Sequence, residues 1–184
     1  MPETKIDSAS KAAQQIQYAL LEDEALACVR VSGRGNFINS VPLKNFADRL
    51  HKEGKQVRFV IDLQNCETLD STFMGVMASI SLQQQRDKCG KLIVANANEH
   101  VRKLLKTLGL VNLMNLREGH DESVERASDQ FESPTEEEAS VDHMEQILHT
   151  LEAHKTLCRV DDENEVRFQS VIHYLEASLK DAEK

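Results

Sequence analysis

Hydrophobic and polar positions along the chain switch between two periods. Ile16–Leu21 and Ala25–Val31 are short apolar runs joined by the polar turn Glu22-Asp23-Glu24, the pattern of a β-hairpin. Ser32-Gly33-Arg34-Gly35-Asn36 breaks that pattern with turn formers and predicts a loop. Leu43, Phe46, Ala47 and Leu50 recur at i, i+3, i+4 and i+7, with Pro42 placed as in a first helical turn. They predict one amphipathic helix ending near Gly54. Val57–Leu63 is nearly continuous in apolar residues, as in a strand buried on both faces. A loop through Cys66 follows, then a helix from about Ser71 to Cys89, stopped by Gly90. Leu92–Ala95 reads as a second buried strand. Val101, Leu104, Leu105 and Leu108 mark a third helix closed by Gly109. Val111–Leu116 reads as a last short strand, and Asp121-Glu122-Ser123-Val124 opens a short closing helix. Strands and helices alternating at this spacing predict one α/β layer structure, with no internal repeat.

Around Gln130–Ser140 the pattern fails: Glu132-Ser133-Pro134-Thr135-Glu136-Glu137-Glu138 is a charged linker with nothing to bury. Beyond it Met144, Ile147, Leu148, Leu151, His154 and Cys158 share one helical face, and Phe168, Val171, Ile172, Leu175 and Leu179 another. The polar interval Asp161-Asp162-Glu163-Asn164 between them fits either one long helix with a polar layer or a turn between two helices. Such a stripe needs a cover. A second copy is favoured, giving a homodimer through a coiled coil or helical hairpin; the chain's own domain is the alternative. The expected division is an N-terminal segment 1–13, a domain over 14–128, an acidic linker 129–140 and a helical extension 141–182.

Charge sharpens this division. The chain has 184 residues and a net charge of −9, but residues 1–116 hold 15 Lys and Arg against 12 Asp and Glu. Residues 117–184 hold 7 against 19, so the acidic excess belongs wholly to the C-terminal third. No clustered basic face is visible, which argues against nucleic acid and for protein partners. No apolar run is long enough to span a bilayer, and Met1-Pro2-Glu3-Thr4-Lys5 lacks the apolar core of a signal peptide, so a cytoplasmic location without membrane insertion is expected. Cys28, Cys66, Cys89 and Cys158 are scattered singly, which suits reduced thiols rather than disulfides or a zinc site.

The most specific feature is Val60-Ile61-Asp62-Leu63 leading through a short connection to Leu69-Asp70-Ser71-Thr72-Phe73-Met74-Gly75. Asp70 or Ser71 can cap the unpaired N–H groups of a helix start. A hydroxyl at that place is also a good phosphoacceptor, because the helix dipole and free N–H groups tolerate added negative charge. The strand, the Asp-Ser-Thr helix start, the Lys91–Ala95 strand and the Leu104–Leu116 segment together resemble a STAS domain, the fold of anti-sigma factor antagonists. The resemblance covers roughly residues 14–128 and implies a mixed β-sheet flanked by helices. It implies phosphorylation of Ser71, with Thr72 as the secondary candidate, in a pattern Asp-Ser-(Ser/Thr)-Gly-apolar-Gly. Phe73 departs from that pattern where the family has Gly, while Gly75 matches it.

The same resemblance implies a serine kinase that acts as anti-sigma factor, and a serine phosphatase that resets the switch. The unphosphorylated partner surface would comprise Asp70, Ser71, Thr72, Phe73 and Met74 with Gly33, Asn36 and Phe37 of the preceding loop. Phe73 is expected to shield the helix start, so that Phe73→Gly would speed phosphorylation and cost roughly 1 kcal/mol through helix propensity. The alternative is a STAS-type scaffold subunit that is never phosphorylated. No catalytic residue, cofactor or metal ligand is expected. Gly33-Arg34-Gly35 lacks the third glycine of a dinucleotide fingerprint, and no P-loop is present. His143, His149, His154 and His173 form no i, i+4 pair and read as solvated helix faces. Cys66 has no basic neighbour in sequence and reads as an ordinary thiol.

Overall fold

The computed structural model describes residues 15–119 and 121–182, so the segment assigned to 1–13 lies outside the described residues. Strands β1 (Ile16–Leu21) and β2 (Leu26–Gly35) form the expected hairpin around a 3-10 turn at Glu22–Glu24. The chain then alternates: α1 (Phe37–Lys52), β3 (Arg58–Leu69), α2 (Ser71–Arg86), β4 (Ile93–Ala95), α3 (Glu99–Thr107), β5 (Asn115–Arg117) and α4 (Glu122–Arg126). Among the described residues the strands form one sheet in the order β1-β2-β3-β4-β5, with β1 antiparallel to β2 and every other pair parallel. Ile16, Val29, Phe59, Ile61, Leu63 and Val94 meet α1, α2 and α3 in the main core. On the opposite face Cys28, Val60, Ile93 and Ala95 pack with Val124 and Ala127. This is the mixed STAS-like sheet that the resemblance implied.

Four local expectations fail. Ser32–Gly35 of the loop expected at Ser32–Asn36, and the loop through Cys66, are instead strand. Ser32, Gly33, Arg34 and Gly35 pair with Asn65, Cys66, Thr68 and Leu69 in parallel, across two register shifts. The glycines serve that irregular pairing: Gly33 has φ +71°, and a methyl group on Gly35 would lie 2.3 Å from Leu69 Cδ2. Helix α1 starts at Phe37, so Pro42 stands in its second turn and gives up the bond its N–H would make to the Ile38 carbonyl. Val111–Leu116 divides into a 3-10 turn at Leu110–Asn112 and β5.

The acidic linker does find partners. Glu132 exchanges two backbone hydrogen bonds with Tyr18, both 3.0 Å, and so covers part of the free edge of β1. Arg30 lies over the Phe131 ring at 4.0 Å. Short helix α5 (Glu136–Ala139) carries Glu138, whose carboxylate accepts from Tyr18 Oη and Arg49. Burial, reinforced by Glu138, pushes the Tyr18 hydroxyl up to about 12.

The C-terminal extension is a hairpin of two helices, α6 (His143–Val160) and α7 (Glu163–Ala182). The polar interval is its turn, and one member is fully buried: Asn164 Nδ2 donates to the carbonyls of Leu157 (2.9 Å) and Leu108 (3.2 Å). Leu157 and Phe168 join the main core, while Ile147, Leu151 and Leu175 fill the seam between the two helices. The stripe that was expected to face a second copy is thus covered in part by the chain's own domain and in part by the other helix of the hairpin.

Phe73 stands in the first turn of α2 but points into the core, fully buried beside Gly35. Phe73→Gly should therefore cost about 4 kcal/mol or more, combining loss of a large buried ring with glycine inside a helix. Urea unfolding monitored by circular dichroism checks this; a loss near 1 kcal/mol would mean the ring contributes little.

Candidate functional site

Strands β2 and β3 end side by side, and each feeds a helix, so the N-termini of α1 and α2 emerge together. Asp70 joins them. Its backbone N–H donates to the Gly35 carbonyl at 2.8 Å. One carboxylate oxygen accepts from Phe73 N and caps α2, while the other accepts from Phe37 N at the start of α1, each at 2.8 Å. Asn36 caps α1 in a reciprocal box with Asn39, which is wholly buried and also donates to the Arg34 carbonyl at 2.7 Å. Burial pushes the Asp70 carboxyl above its ordinary value, although the backbone N–H groups of Phe73, Phe37 and Thr72 and the nearby His154 oppose the shift.

Ser71 follows as the first residue of α2 and is half-buried. Its Oγ lies 2.9 Å from His154 Nε2, on α6. The protons can be placed by elimination. His154 Nδ1 lies 2.8 Å from the Thr150 carbonyl, which can only accept, so Nδ1 carries the hydrogen. Burial holds His154 below its ordinary pKa, against the Thr150 carbonyl and Asp70, and keeps the ring neutral. Nε2 then offers a lone pair, and the Ser71 hydroxyl donates to it. Phe168 of α7 meets the ring edge-to-face at 4.8 Å.

A second serine–histidine contact lies one helix away. Ser40 Oγ donates to the Phe37 carbonyl at 2.8 Å and lies 2.7 Å from His149 Nε2. The hydroxyl's one hydrogen is spent on Phe37, so His149 Nε2–H donates to Ser40. Burial, helped by the Lys44 charge and opposed by Asp48, pushes His149 down to about 4.

Of the residues expected to form a partner surface, Asn36, Phe37, Asp70 and Ser71 do come together. Phe37 is 42% exposed. Gly33 lies two residues back in β2. Thr72, Phe73 and Met74 are buried, so they do not contribute to an open surface here, and Thr72 is poorly placed as a second acceptor. His149 and His154, read from the sequence as solvated, are 8% and 4% exposed and face the domain. The signal was present: His154 sits in the apolar stripe of α6, where a solvated residue has no place. Ser40 and Gly75 gave no such signal. Cys66 is buried, and burial raises its thiol pKa. Among the described residues no group of three or more His, Cys, Asp or Glu side chains could hold a metal ion, and no helix is long and apolar enough to cross a membrane.

A mixed sheet whose parallel strands end at an Asp-Ser helix start defines an α/β interaction domain of the STAS type. The STAS domain profile matches residues 17–123, more than half of the chain, and the chain belongs to that family. Similar solved structures include TM1081 of Thermotoga maritima, described as an anti-sigma factor antagonist, at 16% identity and a TM-score of 0.49, covering 65% of this chain and 98% of that one. The anti-sigma factor antagonist SpoIIAA in its unphosphorylated form matches at 13% identity and a TM-score of 0.49, over 61% of this chain and 97% of that one. The Bacillus cell fate determinant SpoIIAA in its phosphorylated form matches at 15% identity and a TM-score of 0.49, over 61% and 98%. No curated protein matches the chain.

The two histidines make hairpin docking sensitive to pH. Both have folded-state pKa values below that of a free imidazole, so protons favour the undocked form. Docking is strongest above about pH 6.5 and weakens as the pH falls from there toward 4, by up to about tenfold per unit through His149; the lowered pKa of His154 acts in the same direction. The groups facing His149 are Ser40, Lys44 and Asp48 of α1; those facing His154 are Ser71 and Asp70. Amide hydrogen exchange of 143–160, corrected for the intrinsic rate, should rise over this window, and His149→Gln should flatten the rise. A flat profile in the unmodified protein would show that neither ring matters.

Proposed function

We propose that the protein is a phosphorylation-controlled interaction switch, with Ser71 as the acceptor. Unphosphorylated, it binds a partner protein through Asn36, Phe37, Asp70 and Ser71 and is released when Ser71 is phosphorylated. The observation that carries this reading is the placement of Ser71 at the first position of a 16-residue helix, directly after a capping aspartate. A phosphate there gains from the helix dipole but adds nearly two negative charges beside Asp70, which would expel a partner fitted to the neutral hydroxyl. Membership of the STAS family supports it, as does the match of Asp70-Ser71-Thr72 with Gly75 to the family pattern. On that resemblance the partner is a serine kinase acting as anti-sigma factor, a serine phosphatase resets the switch, and transcription or stress signalling is the output. The chain supplies the acceptor and leaves the catalysis to its partners.

One observation favours the scaffold alternative: the Ser71 hydroxyl is already bonded to His154 of the same chain. A domain that never meets a kinase has use for such a contact as a simple anchor.

Intact mass of the full chain isolated from its native cells, before and after phosphatase treatment, separates the two. The switch reading expects one phosphate, lost on treatment and absent from Ser71→Ala. A protein with no phosphate under any growth condition supports the scaffold, and a phosphate that persists in Ser71→Ala moves the acceptor elsewhere.

A further inference from the structure

The hairpin runs over the face that carries Ser71. Helix α6 crosses α2 so closely that a methyl group on Gly75 would lie 2.5 Å from the Ala153 carbonyl oxygen and 2.8 Å from its carbon. Glycine is what lets the two backbones approach. From this crossing α6 sends His154 to Ser71, His149 to Ser40 and Glu152 to Lys44 at 3.7 Å. At the far end Asn164 holds the Leu108 carbonyl, and Leu157 and Phe168 enter the core. A partner reaching for Ser71 meets α6 first.

We propose that α6 is a built-in occupant of the Ser71 face: it must swing off before a partner protein reaches Ser71, and phosphate on Ser71 then keeps it off. The second half rests on Ser71 being the phosphoacceptor; the first half does not. In the docked state the hydroxyl hydrogen of Ser71 points at His154 Nε2. Phosphorylation replaces that hydrogen with the terminal phosphoryl group of the kinase's ATP. The oxygen–phosphorus bond to ADP breaks, a bond to Ser71 Oγ forms, and the hydroxyl proton passes to a base of the kinase. The new phosphate oxygens need the space that the imidazole occupies, between the Thr150 carbonyl and the Phe168 ring. They also stand beside Asp70, whose two oxygens are already committed to Phe37 and Phe73.

The hinge is short. Glu138 stays tied to Tyr18 and Arg49, and α6 does not begin until His143, so 140–142 is where the hairpin can turn away. Only the two helices leave, and the sheet remains intact.

Two measurements on the full chain test this without a kinase. In the first, phosphoserine is installed at position 71 during translation, and amide exchange of 143–160 is compared with that of 58–69. Exchange in 143–160 should rise at least tenfold while 58–69 is unchanged, and Ser71→Ala should produce a much smaller rise. Equal or greater protection of 143–160 with phosphoserine overturns the second half. In the second, Ser71→Cys is alkylated with iodoacetamide, with and without Gly75→Ala, and labelling is read at residue 71 by peptide mass. Alanine is the better helix former, so α2 is not weakened, but its methyl group forces α6 away; labelling should speed at least tenfold. Equal labelling rates overturn the occlusion. If instead native Ser71 carries no phosphate, the switch reading fails while these two measurements still decide whether α6 guards the site.

Discussion

The Asp70 carboxylate is the constraint on which the site depends. Two helix N-termini emerge side by side from a parallel sheet, and each brings N–H groups that no intrahelical carbonyl can satisfy. One half-buried carboxylate answers both, through Phe37 and Phe73, and the backbone N–H of Asp70 returns to Gly35 on the neighbouring strand. This fixes the spacing of α1 and α2 and sets the direction in which Ser71 leaves the cap. It also puts a negative charge beside Ser71 before any phosphate arrives. Burial favours the neutral acid of Asp70, while the donors around it favour the anion.

Onto this base the hairpin is fitted by shape. Gly75 allows helix α6 to lie against α2 with almost no gap, and Ala153 is small enough to accept the crossing. Once that distance is fixed, His149, one turn before Ala153, and His154, directly after it, fall opposite the first turns of α1 and α2. His149 then reaches Ser40, and His154 reaches Ser71. Both rings are neutral and each makes one hydrogen bond to a serine hydroxyl, so the contacts specify the docking position more than they strengthen it.

Much of this was legible in sequence, unevenly. The hairpin, the buried strand Val57–Leu63 and the helix beginning at Ser71 follow from the pattern of apolar positions: they recur with a period where one side is covered and run nearly unbroken in β3, which is covered on both. The extended ends of β2 and β3 did not follow, because Gly33 and Gly35 read as turn formers, whereas here they permit bulged pairing with Asn65–Leu69. Phe73 misled for a different reason. Its position beside Ser71 suggested a surface role, but a side chain at the third helical position projects a little over half a full rotation, about 200°, away from the first, here into the core. The polar interval left one helix and two equally open. What decided it is tertiary: Asn164 needs the Leu108 carbonyl, and Gly109 makes room for Asp161. No local pattern carries that information.

The charge division has a different consequence from the one its size suggests. An acidic extension on a slightly basic domain invites an electrostatic account of docking, yet few ion pairs cross the seam. Lys44–Glu152 is a long, exposed contact at 3.7 Å, and Lys155–Glu176 joins the two hairpin helices to each other. Exposed pairs of this kind contribute little, typically under about 1 kcal/mol. Leu157 and Phe168, almost wholly out of water, carry the docking instead. Charge acts over a longer range, where the apolar contacts do not reach. Residues 141–182 hold nine Asp and Glu against four Lys and Arg, so two released hairpins repel each other while each remains weakly attracted to a basic-leaning domain. Short-range packing thus decides whether the face is covered, and the like charge of two such hairpins works against their pairing with each other.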